Sequence, residues 1–223
     1  MTSSANPSPL SLLEERSRDL VPPVRQRLRW FCVNPAEHAL FLNTLSLMEH
    51  IGSRKIMTSQ SGLELSHETL KHLAEESRHA YFFKREAEKL ARLAFNYGPN
   101  DTIAGAFARG YMGRLDADIA MALGPQVTSE LPYLYMSAIV ELRAIWLYRM
   151  YQAVLAEHQI HITLKSVLAE EELHLAGMVA RLLELDGDAT GHMDQFCVLE
   201  DNRFRALWAA IENACGQLRV AAE

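Results

Sequence analysis

Glu75-Glu76-Ser77-Arg78-His79 and Glu170-Glu171-Glu172-Leu173-His174 are two matching stretches whose reading decides how this chain folds. Each contains a Glu-x-x-His pair, Glu76 with His79 and Glu171 with His174. Three residues of α-helix turn through about 300°, so both side chains of a pair leave the helix on nearly the same side. One such pair would be an ordinary solvated helix face. Here each is preceded, at similar distance, by a single Glu inside an apolar run: Glu49 before the first and Glu141 before the second. Two helices giving one Glu each and two giving Glu-x-x-His make up the donor set that holds a pair of iron or manganese ions inside a four-helix bundle.

The flanking periodicity agrees. Glu49 is the charged member of a stripe formed by Phe41, Leu42, Leu45, Gly52 and Ile56, on a helix expected from Asn34-Pro35, a cap followed by proline, to about Met57. A buried carboxylate without a partner is strongly disfavoured, so something must compensate Glu49. Gly52, one turn on, costs about 1 kcal/mol against Ala in a helix and is expected to leave space beside the metals. After a polar turn over 59–65, Ser66 caps a second helix running to about Tyr97, before Gly98-Pro99, with Leu73, Ala80, Phe83, Ala87 and Leu90 on the Glu76 face. An antiparallel hairpin of these two helices sets Glu49 and Glu76 at one height.

The stretch Thr102 to Leu123 is expected to be a helical crossover that carries the chain along the bundle. A third helix, from about Ser129 to His158, bears Glu141 between Ser137, Ala138 and Ala144, small residues that leave room on a substrate side shared with Gly52. A fourth, from about Thr163 to Leu185, bears Glu171 and His174. The fold class predicted is therefore all-α: one domain over 1–223, with a tail and short helices over 1–33, the bundle over 34–186 and a C-terminal helix over 187–223. In the first segment Pro22-Pro23 is expected to end one short helix before a second, with Val24, Leu28 and Phe31, begins. The last helix, about Asp194 to Arg219, should cover the bundle or make a subunit contact, which leaves a homodimer open.

Composition sets the outer bounds. A chain of 223 residues with 49% hydrophobic and 22% charged content can bury a full core. The net charge of −6 and the lack of a Lys/Arg-rich face argue against a nucleic-acid partner. Cys32, Cys197 and Cys215 are scattered and lack CxxC spacing, so neither a disulfide framework nor a thiolate site is expected. The N-terminus has no signal-peptide pattern, and the most apolar stretch, Leu131 to Leu147, is short and contains Glu141 and Arg143. A cytoplasmic protein with no membrane partner is the expectation.

Within the site, hard carboxylate oxygens and imidazoles suit Fe or Mn, including a mixed pair. Glu76 and Glu171 are the expected bridges, with Glu49 and His79 completing one metal and Glu141 and His174 the other. A ligating His usually gives its second N–H to a carboxylate. Bundle symmetry therefore pairs Glu170 with His79 and Glu75 with His174. His72 extends the first stretch to His72-x-x-x-Glu76-x-x-His79 and is an additional ligand, an outer-shell group or a surface residue. His50 lies about 100° around the helix from Glu49 and is expected to be structural. Tyr81 and Tyr148 are either core residues or neighbours of the metals.

The Glu-x-Arg-His form at Glu76 to His79, preceded by Glu75, resembles the ligand helix of ferritin-like di-iron oxygenases, including bacterial multicomponent monooxygenase hydroxylases. The resemblance implies a four-helix bundle with a di-iron centre that activates O2, and it names no substrate. Some arylamine N-oxygenases of this superfamily use a further His, although there the longer motif lies on the last ligand helix. In the radical-generating ribonucleotide reductase small subunits the position four after the first ligand His is usually Tyr. Phe83 stands there in this chain, so a stable tyrosyl radical of that kind is not implied.

Three functions follow as expectations. The first is a non-haem di-iron oxygenase or oxidase acting with O2 and an electron donor on a small, partly apolar organic substrate. The second is a ferroxidase or iron-handling protein, since bacterioferritin shares the doubled Glu-x-x-His. The third is a di-manganese enzyme of the catalase type, or a metal-free helical interaction protein.

Overall fold

A computed structural model describes residues 8–60, 65–128 and 130–222. The extreme N-terminal tail, most of the turn over 59–65 and Ser129, the expected start of the third helix, lie outside the described residues. Eight α-helices and no strand occur among the described residues: α1 (Pro9–Arg16), α2 (Val21–Val33), α3 (Pro35–Ser59), α4 (His67–Ala91), α5 (Gly105–Leu123), α6 (Glu130–Glu157), α7 (Lys165–Leu185) and α8 (Ala189–Ala222). None of these helices is long and apolar enough to cross a membrane.

The two ligand-bearing pairs form two hairpins. α3 packs along α4, and α6 along α7, with lighter contacts joining α3 to α6 and α4 to α7. α6 is buried on almost every side, with Tyr135, Ile139, Leu142, Ile145 and Tyr151 fully enclosed. This explains why its sequence shows the weakest alternation of polar and apolar residues. α5 and α8 pack on each other and against α6. One continuous apolar core takes residues from all eight helices.

Local chemistry sets the helix ends. Ser66 caps α4, its Oγ accepting the Thr69 N–H at 3.0 Å. α4 stops at Ala91 and does not reach Tyr97. Arg92 adopts the left-handed conformation at φ 54° and closes the helix through Glu88 O, while Glu88 Oε1 accepts the Phe95 N–H at 3.2 Å. Asn43 of α3 then pins the following loop, donating to Asn96 O and Asp101 O, each at 2.7 Å. Pro22 and Pro23 lie in the first turn of α2, where a missing N–H costs nothing. They open that helix, and the preceding α1 ends earlier, in a short 3-10 turn over Arg18–Leu20. α8 begins at Ala189, five positions ahead of the expected Asp194, after Asp186 gathers Tyr135 Oη, the Asp188 N–H and His192 Nδ1.

A buried ion-pair network ties α8 to the bundle. Arg143 of α6 donates to both oxygens of Glu200 of α8, at 2.6 to 3.0 Å, and to Ser17 Oγ at 2.9 Å, while Tyr111 of α5 donates to Glu200 Oε1 at 2.8 Å. The guanidinium also sits over Trp146 and Phe204. Removing one partner of such a pair strands a charge without solvent, which costs about 3–5 kcal/mol. Glu200→Ala is therefore expected to lower the unfolding free energy from urea titration by that amount, whereas Glu130→Ala, which breaks the solvated pair with Arg181, should leave it nearly unchanged. Equal effects of the two substitutions would contradict this assignment.

Candidate metal centre

The six acidic and imidazole side chains singled out in the sequence come from four helices and converge: Glu49 from α3, Glu76 and His79 from α4, Glu141 from α6, Glu171 and His174 from α7. Together with His72 they form two overlapping groups, and within each group every residue offers a donor atom within 4.8 Å of the others. One group is Glu49, Glu76, His79 and Glu171; the other is His72, Glu76, Glu141 and His174. Glu76 belongs to both. Glu171 reaches across as well, with Oε1 3.0 Å from His79 Nδ1 and Oε2 3.2 Å from His174 Nδ1.

The outward face of each imidazole is fixed by a carboxylate from the opposite hairpin. His79 Nε2 lies 2.7 Å from Glu170 Oε2, and His174 Nε2 lies 2.7 Å from Glu75 Oε2, the crossed arrangement that bundle symmetry predicts. Arg78 holds Glu170 in turn, donating to its two oxygens at 3.1 and 2.6 Å. With Nε2–H donated outward, each Nδ1 faces the cluster, where it takes a proton in the metal-free protein and would give its lone pair to a metal ion. His79 Nδ1 and Glu171 Oε1 are both buried and make no hydrogen bond, although they face each other closely. Two lone-pair donors side by side and unpaired in a dry interior are held as ligands of a common cation would be. The surrounding donors are carboxylate oxygens and imidazoles with no thiolate, since Cys32, Cys197 and Cys215 lie outside both groups. The site can hold metal ions, and its donors suit hard to borderline ones.

Three aromatic residues and two histidines complete the picture. Tyr148 donates its hydroxyl to Glu49 Oε1 and packs at 5.4 Å from the Phe83 ring. Tyr133 Oη lies 3.3 Å from His72 Nδ1. Tyr148, seven positions after Glu141, shares its helix face and is a neighbour of the cluster, whereas the contact of Tyr133 comes only from the packing of α6 against α4. Tyr81 is exposed and outside the cluster. His50 stacks on Tyr97 and joins neither group. His72 is buried and belongs to the second group, so it is not a surface residue.

Electrostatics describe a cluster short of positive charge. Burial raises the carboxyl of Glu49 to about 7, helped by the Glu171 charge. Burial likewise raises Glu76, with Glu49 adding to it, and Glu141, with Glu171 adding to it. Burial opposes the charged forms of His79 and His174, yet the adjacent carboxylates more than offset it, lifting His79 to about 10 and His174 to about 11. Burial also acts against the Glu171 carboxylate, but the two imidazoles lower it to about 2. Without metal the site balances itself by protonating carboxyls and imidazoles. Divalent cations would replace those protons.

A cleft of about 720 Å3, including the part open to solvent, meets the cluster at Glu49, Glu76 and Glu141. Its other walls are mostly apolar, with Met48 and Leu45 of α3, Met112 of α5, Val140, Ala144 and Leu147 of α6, and Phe204, Leu207 and Ile211 of α8, while Thr44, Tyr111, Arg143 and Tyr148 add polar groups. A smaller cleft of about 330 Å3 reaches His72, Glu76 and Glu141 past Ser137 and Met136. Of the four small residues expected on a substrate side, Gly52 lines both clefts, Ala144 the larger and Ser137 the smaller. Ala138 lines neither and is fully buried in the core, one helix position away from the open side. Gly52 also has a tighter duty than leaving space: a Cβ there would stand 2.8 Å from Glu76 Oε2. The bare backbone of α3 is what lets the Glu76 carboxylate lie between the hairpins.

The raised carboxyl of Glu49 gives a signed pH dependence. Between its ordinary value of 4.5 and about 7 the metal-free folded state binds more protons than the unfolded chain, so folding stability falls as pH rises through that window. The raised imidazoles act in the same direction at higher pH: their contribution is complete below the ordinary 6.5 and is lost as pH rises through about 10 and 11. Glu171 acts oppositely, its contribution being present above 4.5 and lost as pH falls towards about 2. Metal-free Glu49→Gln should thus gain in unfolding temperature relative to the metal-free parent as pH goes from about 5 to about 8. A difference that stays constant over that range would contradict the assignment. Comparison of the chain with known protein families, with curated proteins and with solved structures returns no match, so its functional reading rests on the site itself.

Proposed function

We propose that this chain is a ferritin-like non-haem di-iron oxygenase or oxidase, cytoplasmic, acting with O2 on a small organic substrate with a substantial apolar part. The observation that carries the reading is the meeting of two features at Glu49, Glu76 and Glu141: a buried four-carboxylate, multi-imidazole cluster on one side and an apolar cleft on the other. The walls of that cleft are mostly apolar with a few polar groups, the pattern of sites that take small organic molecules. Passage or oxidation of bare iron ions requires no such apolar volume, which favours organic oxidation over iron handling.

Of two ions bound there, Glu49 and His79 would hold one, Glu141 and His174 the other, and Glu76 and Glu171 would contribute to both. Bound iron would supply the electrons for reducing O2. The protein supplies everything else. Glu170, held by Arg78, and Glu75 fix the rings of His79 and His174 and make them stronger donors. The Tyr148 hydroxyl holds Glu49 Oε1 by a hydrogen bond, and so places an exchangeable proton beside that carboxylate. Apolar walls from α3, α6 and α8 keep bulk water from the reacting groups and align an apolar substrate towards them.

The test loads metal-free protein with Fe(II) anaerobically and then admits O2. Two iron atoms per chain, magnetically coupled by Mössbauer spectroscopy and retained by a monomer or small oligomer, are expected. Glu171→Ala should hold neither ion. Progressive uptake of many iron atoms per chain in a large shell would establish iron storage instead. A full pair retained in Glu171→Ala would refute the ligand assignment, and a pair formed with Mn(II) alone would favour the di-manganese reading.

A further inference from the structure

His72 is the one member of the cluster that the four-carboxylate, two-imidazole plan does not need. It lies one helical turn before Glu76, and only 6% of its surface is exposed. Its Nε2 stands 3.3 Å from Glu141 Oε1 and 3.4 Å from Glu76 Oε1. Its ring centroid is 4.2 Å from that of His174. On its far side Nδ1 is 3.3 Å from Tyr133 Oη. We infer that His72 is a seventh metal ligand through Nε2, so that the two metal positions are chemically unequal. One is faced by His72 and His174 with Glu76 and Glu141; the other is faced by His79 alone among the imidazoles, with Glu49, Glu76 and Glu171. The inference rests on the dinuclear reading above.

The geometry argues for it in two steps. A neutral imidazole has one N–H and one lone pair. With Nδ1–H donated to Tyr133 Oη, the Nε2 lone pair points at Glu76 Oε1 and Glu141 Oε1 together; a proton can be shared by only two of these three atoms, whereas a metal ion meets all three at once. The spacing says the same. Charge-assisted N–H···O contacts to carboxylates close to about 2.7–2.9 Å, as they do at 2.7 Å for the outward nitrogens of His79 and His174. The His72 contacts remain longer. Two donors at right angles on an ion bound at about 2.1 Å stand about 3 Å apart, which is closer to what His72 and its neighbours show.

Unequal nitrogen count has a consequence for metal choice. Imidazole strengthens binding of the later first-row ions, whereas carboxylate-rich positions suit manganese. The His72 and His174 position should therefore favour Co(II) or Fe(II) over Mn(II) more strongly than the His79 position does. A mixed Fe/Mn pair would place iron at the nitrogen-rich end.

Titration of the full metal-free chain with Co(II), observed by calorimetry and by proton NMR in water, tests this. The parent protein should bind two Co(II) in distinguishable steps and display three hyperfine-shifted, exchangeable imidazole N–H resonances. His72→Gln should still bind two Co(II), with one step weakened at least about tenfold, the other unchanged, and one resonance gone; its Mn(II) affinity should fall less. Two resonances in the parent overturn the inference, as do unchanged affinities in His72→Gln, and either result leaves the dinuclear site standing. Failure of the parent to bind two Co(II) would take down the dinuclear reading and this inference together. If His72→Gln does not fold, the resonance count in the parent decides alone.

Discussion

Four carboxylates enclosed in a helical core set the terms for everything around them. Glu49, Glu76, Glu141 and Glu171 are each nearly removed from solvent, and a buried ionised carboxylate is costly unless it meets positive charge. Two imidazoles alone do not balance four acids, and the raised carboxyls of Glu49, Glu76 and Glu141 are the signature of that deficit. The rest of the architecture keeps the deficit in place. Gly52 lets α3 and α4 approach around Glu76, Glu75 and Glu170 hold the imidazoles from behind, and Arg78 anchors Glu170 on the outside. A fold selected for stability alone would fill such a centre with Leu and Ile, and the strain on apolar burial here is of the kind found at functional sites.

The chain outside the two hairpins gives the cluster its surroundings. α8 is fastened by the Arg143–Glu200 pair and brings Phe204, Leu207 and Ile211 to the cleft that ends at the carboxylates. α5 contributes Met112 to the cleft wall and Tyr111 to the Glu200 network. The same Arg143 that locks the C-terminal helix therefore fixes one wall of the cleft. Burial of polar groups in one place stabilises the walls of an apolar space in another.

Much of this was legible in the sequence, because the relevant geometry is helical and local. The i, i+3 spacing within Glu76/His79 and Glu171/His174, and the repeat of an upstream Glu, suffice to place six side chains on inward stripes. The crossed pairing of Glu75 and Glu170 with the imidazoles follows from the two-fold relation between the hairpins. What escaped was set by contacts distant in the chain. Tyr133 looks like an ordinary core aromatic until α6 is docked, and Tyr148, a candidate neighbour of the metals from its spacing to Glu141, shows its tie to Glu49 only then. The end of α4 depends on Arg92 adopting the left-handed conformation and on Asn43, far upstream, holding the loop. Ala138 shares its small size with Ala144 but not its direction, and only the packed bundle tells which of the two faces the cleft. His72 had the right spacing from the start, but its role depends on Glu141, which arrives from another helix.

The most direct measurement of the central claim is anomalous X-ray scattering at the iron edge from crystals of the iron-loaded protein. The account predicts two peaks about 3.5–4 Å apart, lying between Glu76 and Glu171, with Tyr148 against the Glu49 side and His72 within bonding distance of one peak. No peak among these residues, or a single ion held only by surface carboxylates, would contradict it.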